Sequence, residues 1–427
     1  MKKSRLLVKY SSMSSKLAPL RGMKDLLPNE FRTHKYIEQV ALQTAALYGY
    51  EGFSPPLLES ASVFDRTLGD SSDVVTKEMY SFSSKSGKLI ALRPEFTASV
   101  IRAFISNGLK QKLPLKLFSS GPVFRYDRPQ KGRQRQFHQL NFEYIGAKDA
   151  YSDAETISLA AHILKELNIL QDVTLELNSL GCDKSKQDYQ EALIEYFKKY
   201  FHDLSKDSQQ RMEKNPLRIL DSKDESDKKI SQGAPVITNY YTQQATEYFD
   251  EVKLYLEKMN IRYVINPKLA RGLDYYSHTA FEFITNKLGS QGTIFAGGRY
   301  DRLTVLMGES EIPSIGFAAG IERIVLMMHD DFKPKKNRPV VIIPIGLECI
   351  DYAIEVTDLL RKANIHTRLE LEGKIAKRMQ SALTANANFA IFIGFTEMSK
   401  NTYKLKDLDT GSEKEVSRTK LIELLQI

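Results

Sequence analysis

Two blocks of strand-like sequence, 88–146 and 263–320, are separated in this chain by a long polar segment, and any fold it adopts has to bring those blocks together again. The first block holds "KLIALRP", "LKLFSSGPVFRYD" and "HQLNFEYIG", short apolar runs with turn residues between them that predict antiparallel strands. The second, "YVINPKLARGLDYYSHTAFEFIT", "GSQGTIFAGGRYD" and "SIGFAAGIERIVLMM", resumes the β character and ends as a strand running into a buried helix. Between them, residues 183–258 are rich in Lys, Asp, Gln and Tyr, as in "QDYQEALIEYFKKYFHDL", and predict a helical insertion.

On either side the rhythm differs again. After Pro28, Ile37, Val40, Ala41 and Leu47 fall at helical spacing, with Asn29 as the expected cap and Gly49 as the stop. "FSPPLLE" follows and reads as an edge strand or an extended interface segment, because proline cannot donate to a sheet ladder. Beyond "DDFKPKKNRP", the runs "VVIIPIG", "TRLEL" and "FAIFIGF" alternate with helical sequence, the pattern of a small α/β domain. A chain of 427 residues exceeds one ordinary domain of roughly 150 residues. The expected class is α+β: a β-rich core at 18–182 and 259–332, the insertion at 183–258, and an α/β module at 338–427.

Composition excludes some functions. No apolar run approaches the ~20 residues that span a bilayer, so no membrane partner is expected. Cys182 and Cys349 stand far apart without CxxC or Cys/His spacing, which argues against a disulfide framework or a structural zinc and for a reducing compartment. The first 24 residues carry seven Lys or Arg, five Ser and no acid. That is the composition of an organellar transit peptide, and equally of a short flexible tail at 1–17, or of a start placed ahead of the true one at Met13. A cytoplasmic location is expected, with a mitochondrial one as the alternative.

The net charge of +8 favours a polyanionic partner, and it is densest in "FRYDRPQKGRQRQFHQ", residues 124–139. Arg125, Arg128, Lys131, Arg133 and Arg135 there face one acid, Asp127. With no GxxxxGK[ST] in the chain, a nucleotide would have to be gripped by side chains, and the planar guanidinium pairs bidentately with phosphate. Phe137 could stack on a base, and Pro129 and Gly132 would bend the loop over the phosphates. Taken alone, the stretch suits a solvated basic loop just as well.

Four further stretches place polar groups among apolar ones. Arg271 and Asp274 in "RGLDYYSHTAFEF" lie between runs that should be buried, as a structural pair or as an arginine aimed at phosphate charge. "AGGRYD" offers close backbone approach at Gly297 and Gly298. "GIER" sets Arg323 at an apolar helix start, and "LRPEFTA" adds Glu95 and Thr97. His138 and His278 lack ligand spacing and are expected to satisfy local hydrogen bonds.

Taken in this order, the stretches resemble the class II aminoacyl-tRNA synthetases, and within them the histidyl-tRNA synthetase family, from about residue 18 onward. Residues 121–146 look like motif 2, "SIGFAAGIER" like motif 3, and the helix with "FSPPLLE" like motif 1, with Pro56 at a dimer interface. "RGLDYY" and "AGGRYD" are similar to two signatures of the histidine enzyme. The resemblance implies a six-stranded antiparallel sheet flanked by helices, a helical insertion, a C-terminal anticodon-binding domain and a homodimer. It implies ATP-dependent activation of L-histidine, with Mg2+ accompanying ATP and no protein-liganded metal, and transfer of histidine to tRNA(His).

By motif position it assigns Arg271 and Arg125 to catalysis and Arg125, Asp127, Arg133, Phe137 and Arg323 to ATP. Glu95, Thr97, Gln139, Glu143, Arg271, Tyr275, Tyr276 and Tyr300 are assigned to histidine. Asp127 stands where the family has glutamate, while Phe96 and Arg302 replace common glycines and are expected beside the pocket. Two other readings compete: a regulatory paralogue like the subunit that activates ATP phosphoribosyltransferase, which predicts loss of arginines and of the C-terminal module that are present here, and a non-catalytic nucleic-acid module.

Overall fold

Proline at 28 opens the first helix, α1 (Pro28–Leu47), where its missing amide leaves no donor unsatisfied. Leu27 is therefore the N-cap and Asn29 lies inside the first turn, which corrects the expected cap. Ile37 and Ala41 are buried as expected, joined by His34, Thr44 and Ala45, whereas Leu47 is exposed. The computed structural model describes residues 17–426 apart from 69–73, 221, 223, 270–274, 290–291, 329–331, 333 and 335–336. The basic stretch 1–16 and Arg271 with Asp274 thus lie outside the described residues.

In chain order there follow β1 (Glu51–Gly52), β2 (Leu58–Ser60), α2 (Ala61–Leu68), β3 (Ser81–Ser83), β4 (Leu89–Leu92) and α3 (Thr97–Ser106). Two ten-residue strands, β5 (Leu115–Phe124) and β6 (Gln136–Ile145), flank the basic loop, and α4 (Ala150–Glu166) and β7 (Thr174–Ser179) come next. The polar segment holds α5 (Asp183–Lys198), α6 (Lys206–Lys214), α7 (Glu225–Gln232) and α8 (Gln243–Lys258). The β blocks resume as β8 (Val264–Ile265), β9 (Ser277–Ile284), β10 (Thr293–Arg299), α9 (Leu303–Leu306), β11 (Ser314–Gly320) and α10 (Ile321–Met327).

Eight of these strands join into one sheet of order β1-β5-β6-β11-β10-β9-β7-β8, and the other three form a small sheet of order β2-β4-β3. The six strands from β5 to β7 pair antiparallel throughout, and the two-residue strands β1 and β8 add parallel edges. The two blocks meet where β6 pairs with β11. Side chains alternate across a strand, and β6 uses this fully. Leu140 and Phe142 enter the core with Phe281, Phe295 and Phe317, and Phe142 stacks on Phe317 at 4.3 Å. Phe137, Gln139, Asn141 and Glu143 share the opposite face. Burying each such aromatic stabilises by roughly 2 kcal/mol, so a slip of one residue would exchange a packed core for unpaired polar groups.

Helix α8 is less separate than its polar sequence suggests, because Phe249, Val252 and Leu256 are buried in the main core. Helix α3 was not anticipated. "TASVIRAFIS" is buried on most of its circumference, so it carries no helical stripe to read.

The chain divides into two compact units, Met1–Phe332 and Lys333–Ile427. The second has its own sheet from β12 (Val340–Pro344), β13 (Thr367–Leu369), β14 (Phe389–Ile393), β15 (Thr402–Asp407) and β16 (Glu413–Ser417), in the order β13-β12-β14-β15-β16. β12 runs parallel to β13 and β14, as the alternating sequence predicts, and α11 (Ile350–Lys362) and α12 (Ile375–Thr384) complete that rhythm. The β15–β16 hairpin, α13 (Phe395–Lys400) and α14 (Arg418–Leu425) extend it.

Candidate active site

The polar face of β6 looks into a cleft of about 200 Å³ whose walls are Arg125, Arg133, Phe137, Gln139 and Arg323. Arg125 follows β5, and its Nε donates to the Pro94 carbonyl at 2.9 Å while its guanidinium lies 5.4 Å from the Phe137 ring centre. Arg323, the third residue beyond β11, donates to the Thr293 carbonyl at 2.7 Å. Arg133 pairs with Asp127 and lies 3.8 Å from Glu78. Burial pulls Arg125 below the usual arginine range, and Arg133 adds to this by repulsion. The same causes act on Arg323, with repulsion from both Arg133 and Arg125. Two buried guanidiniums with a third beside them concentrate positive charge on the cleft wall, which suits an anionic ligand.

Asp127, expected at the nucleotide, has its carboxylate occupied by Arg133 and by the Arg128 amide at 2.6 Å. It therefore orients an arginine. Gln139 is buried and its side-chain oxygen has no partner among the described residues.

Behind the cleft lies a closed polar cluster. Glu143, 1% exposed, accepts from Thr97 and Tyr300 hydroxyls and from the Asn141 amide at 3.0 Å. Burial pushes its carboxyl up to about 8, against the pull of these three donors. Glu95 accepts from the Thr97 amide at 2.6 Å and the Ala98 amide at 2.7 Å, two of the amides that α3 leaves open at its start. Its carboxyl is also raised by burial. Tyr275 and Tyr276 pack ring to ring at 4.7 Å, and Tyr275 meets Tyr300 at 5.7 Å. The Tyr276 carbonyl accepts from Lys186 of α5 at 3.1 Å, so the insertion touches this pocket.

All the assigned residues except Arg271, which lies outside the described residues, thus gather on this face or at its rim. Gly297 and Gly298 do make close approaches, but to neighbouring strands: a Cβ on Gly298 would meet the Thr279 carbonyl at 2.5 Å and the Tyr276 ring at 3.0 Å. Phe96 is buried under the Arg93 guanidinium at 3.9 Å, and Arg302 is exposed and paired with Asp183 at 3.1 Å. His138 does find a local bond, its ring Nδ1 donating to Glu322 at 3.0 Å. The Nδ1 of His278 has no partner among the described residues.

Sequence reasoning missed Glu322, although "GIER" contains it. Its carboxylate takes the His138 main-chain amide on both oxygens at 3.0 Å and so ties α10 to β6. With His34 and His138 it forms the group of described residues whose spacing would admit a metal ion, ligand atoms within 4.8 Å, but His138 already occupies that carboxylate. Arg299 was also overlooked: it is buried against Asp153, with a further bond to the Ala147 carbonyl at 2.6 Å, and fixes the strand that leads to Tyr300.

An antiparallel six-stranded sheet with this arginine-walled cleft on one face puts the chain among proteins of the class II aminoacyl-tRNA synthetase fold. A family model described as "Histidyl-tRNA synthetase" matches residues 22–324, and one described as "Anticodon binding domain" matches 339–426. The curated "Histidine--tRNA ligase" of Rickettsia akari (strain Hartford) is 58% identical over 415 residues, covering 97% of this chain and 100% of that one. That of Rickettsia bellii (strain RML369-C) is 56% identical with the same coverage. Among solved structures, apo histidyl-tRNA synthetase of S. aureus superposes with a TM-score of 0.82 at 31% identity, covering 96% of this chain and 100% of that chain. The histidyl-tRNA synthetase of Nostoc sp. PCC 7120, at 20% identity and a TM-score of 0.69, covers 96% of this chain and 99% of that chain and shares the fold. The chain belongs to the histidyl-tRNA synthetase family.

Proposed function

We propose that this protein is a histidine–tRNA ligase. It takes L-histidine and ATP, as its Mg2+ complex, to histidyl-adenylate and pyrophosphate, and passes histidine to the 3′ end of tRNA(His). The observation that carries this reading is the gathering of Arg125, Arg133 and Arg323 on one cleft wall, beside a closed pocket of hydrogen-bonding groups.

In the first step a carboxylate oxygen of histidine attacks the α-phosphorus and pyrophosphate leaves. Arg125 stabilises the charge that develops on the α-phosphate, a task for which a preorganised guanidinium is suited. Arg271 is assigned the same role. Arg133, oriented by Asp127, and Arg323 hold the γ-phosphate side, and Phe137 stacks on adenine. Glu95, Thr97 and Gln139 receive the α-ammonium, for which the unpartnered Gln139 oxygen is an open acceptor. Glu143, Tyr275, Tyr276 and Tyr300 surround the imidazole, and an apolar side chain there would leave buried polar atoms unpaired.

The unit from Lys333 onward binds the anticodon in this reading, which its match to an anticodon-binding family supports. Two copies form a homodimer, which the exposed Leu42 and Leu47 of α1, Leu57, and Leu58 of β2 favour. The enzyme works in the cytoplasm; among the described residues no helix is long and apolar enough to cross a membrane.

Charging of total tRNA with labelled amino acids tests this. Histidine alone should become acid-precipitable, and Arg271→Ala should abolish the signal with the melting temperature unchanged. Charging with a different amino acid would refute the assignment.

A further inference from the structure

The basic loop between β5 and β6 has few main-chain bonds of its own. Its five cations repel one another, and between its two ends its internal main-chain bonds are the Asp127 amide on the Arg125 carbonyl at 2.8 Å and the reciprocal pair between Gln130 and Arg133 at 3.0 and 2.9 Å. Support comes from a segment more than a hundred positions earlier in sequence. The turn Leu20–Met23, closed by the Met23 amide on the Leu20 carbonyl at 2.9 Å, presents the Gly22 carbonyl to the Arg135 amide at 2.7 Å. The carbonyl of Arg135 in turn accepts the amide of Arg125 at 2.9 Å. Gly22, Arg135 and Arg125 therefore stand in one hydrogen-bonded row that ends at the α-phosphate arginine.

Side chains close over the same point. Gly22 has a left-handed φ of +83°, and a Cβ there would lie 2.8 Å from Arg135 Cγ and 2.9 Å from Pro129 Cγ. The Arg135 guanidinium lies over Tyr126, 3.7 Å from the ring centre, and its Nε donates to the Asp127 carbonyl at 3.1 Å. Asp127 is the residue that orients Arg133. On the other flank, Gly132 rests on α10, where a Cβ would meet Leu326 at 3.1 Å and Arg323 at 3.5 Å. The loop is gripped between the amino-terminal turn and α10. Pro129 and Gly132, which interrupt the run of charge, are the two points of grip.

We propose that Gly22 is a positioning residue: the turn Leu20–Met23 clasps the arginine loop and holds Arg125 and Arg133 where the polyphosphate binds. This rests on the nucleotide reading above for what the loop binds, and on the contacts themselves for the clasp. The turn is tied to α1 by Lys24 and Glu30 at 3.0 Å, and α1 meets β6 through His34 and His138, ring centres 5.1 Å apart. The clasp and the cleft thus ride on the same strand.

The test uses the full chain with Gly22→Ala, and Gly49→Ala as the control. Gly49 has an equally left-handed φ of +80° but nothing within 4 Å of its added Cβ, so it carries the backbone strain without the collision. In Gly22→Ala, limited trypsin cleavage after Lys131 and Arg133 should quicken about tenfold, and the KM for ATP in histidine-dependent exchange should rise about tenfold with the KM for histidine within twofold. Gly49→Ala should move neither. Wild-type cleavage rates in Gly22→Ala, or equal quickening in Gly49→Ala, would overturn the clasp. Cleavage needs no catalysis, so it decides the matter even if the exchange reaction fails and the functional reading falls with it.

Discussion

The cleft and the pocket behind it share one face of one sheet but are held in opposite ways. In the pocket, Thr97, Asn141, Glu143 and Tyr300 satisfy each other side chain to side chain, out of contact with water. In the cleft, Arg125 and Arg323 are steadied by main-chain carbonyls and repel one another. A closed network fixes shape before a ligand arrives, whereas an unbalanced cluster of charge is completed by the ligand. Selectivity for the amino acid should therefore live in the pocket and affinity for the nucleotide in the cleft.

The harshest way to break that division is Glu143→Ala, which strands three buried donors at once. The kcat/KM for histidine should fall about a thousandfold with the KM for ATP within twofold, and equal damage to both substrates in exchange kinetics would erase the distinction. Arg125→Ala comes next, with an expected loss of about a hundredfold in kcat/KM for ATP and little change for histidine. Arg125→Lys should recover only part of this, because an ammonium cannot make the bidentate contact.

A smaller effect follows from pH. Folded Glu143 holds its proton more tightly than the unfolded chain does, near 8 against 4.5. The stability it contributes is full below the lower value and is lost as pH rises through the upper one. Glu95, also raised by burial, acts in the same direction. The ligand-free melting temperature should drop by a few degrees between about pH 5 and pH 8. Glu143→Gln should flatten that slope; an unchanged slope would show that burial does not dominate this carboxyl. Least of all, Arg302→Gly should shift stability by less than about 0.5 kcal/mol, since its pair with Asp183 is exposed. A large loss would mean that Arg302 belongs to the pocket after all.

The sheet was legible because β6 alternates so regularly, Gln139, Asn141 and Glu143 against Leu140 and Phe142, and because the two β blocks share one character. The arginine loop was legible from charge density and the absence of a phosphate-binding glycine loop. The pocket partners were not, since Thr97, Glu143 and Tyr300 lie on three separate elements and no local pattern says that they meet. They were named only through resemblance to a family. Gly22 and Glu322 escaped for the same reason: what they do depends on Arg135 and His138, far away in sequence. Arg302 was drawn toward the pocket by its position after "GGRYD", yet its side chain turns outward.

Exchange of label between pyrophosphate and ATP, measured with each standard amino acid in turn, tests the central claim most directly. Exchange that depends on histidine and on no other amino acid is the predicted result. Exchange supported by another amino acid, or none from a folded protein that still binds ATP, would contradict it.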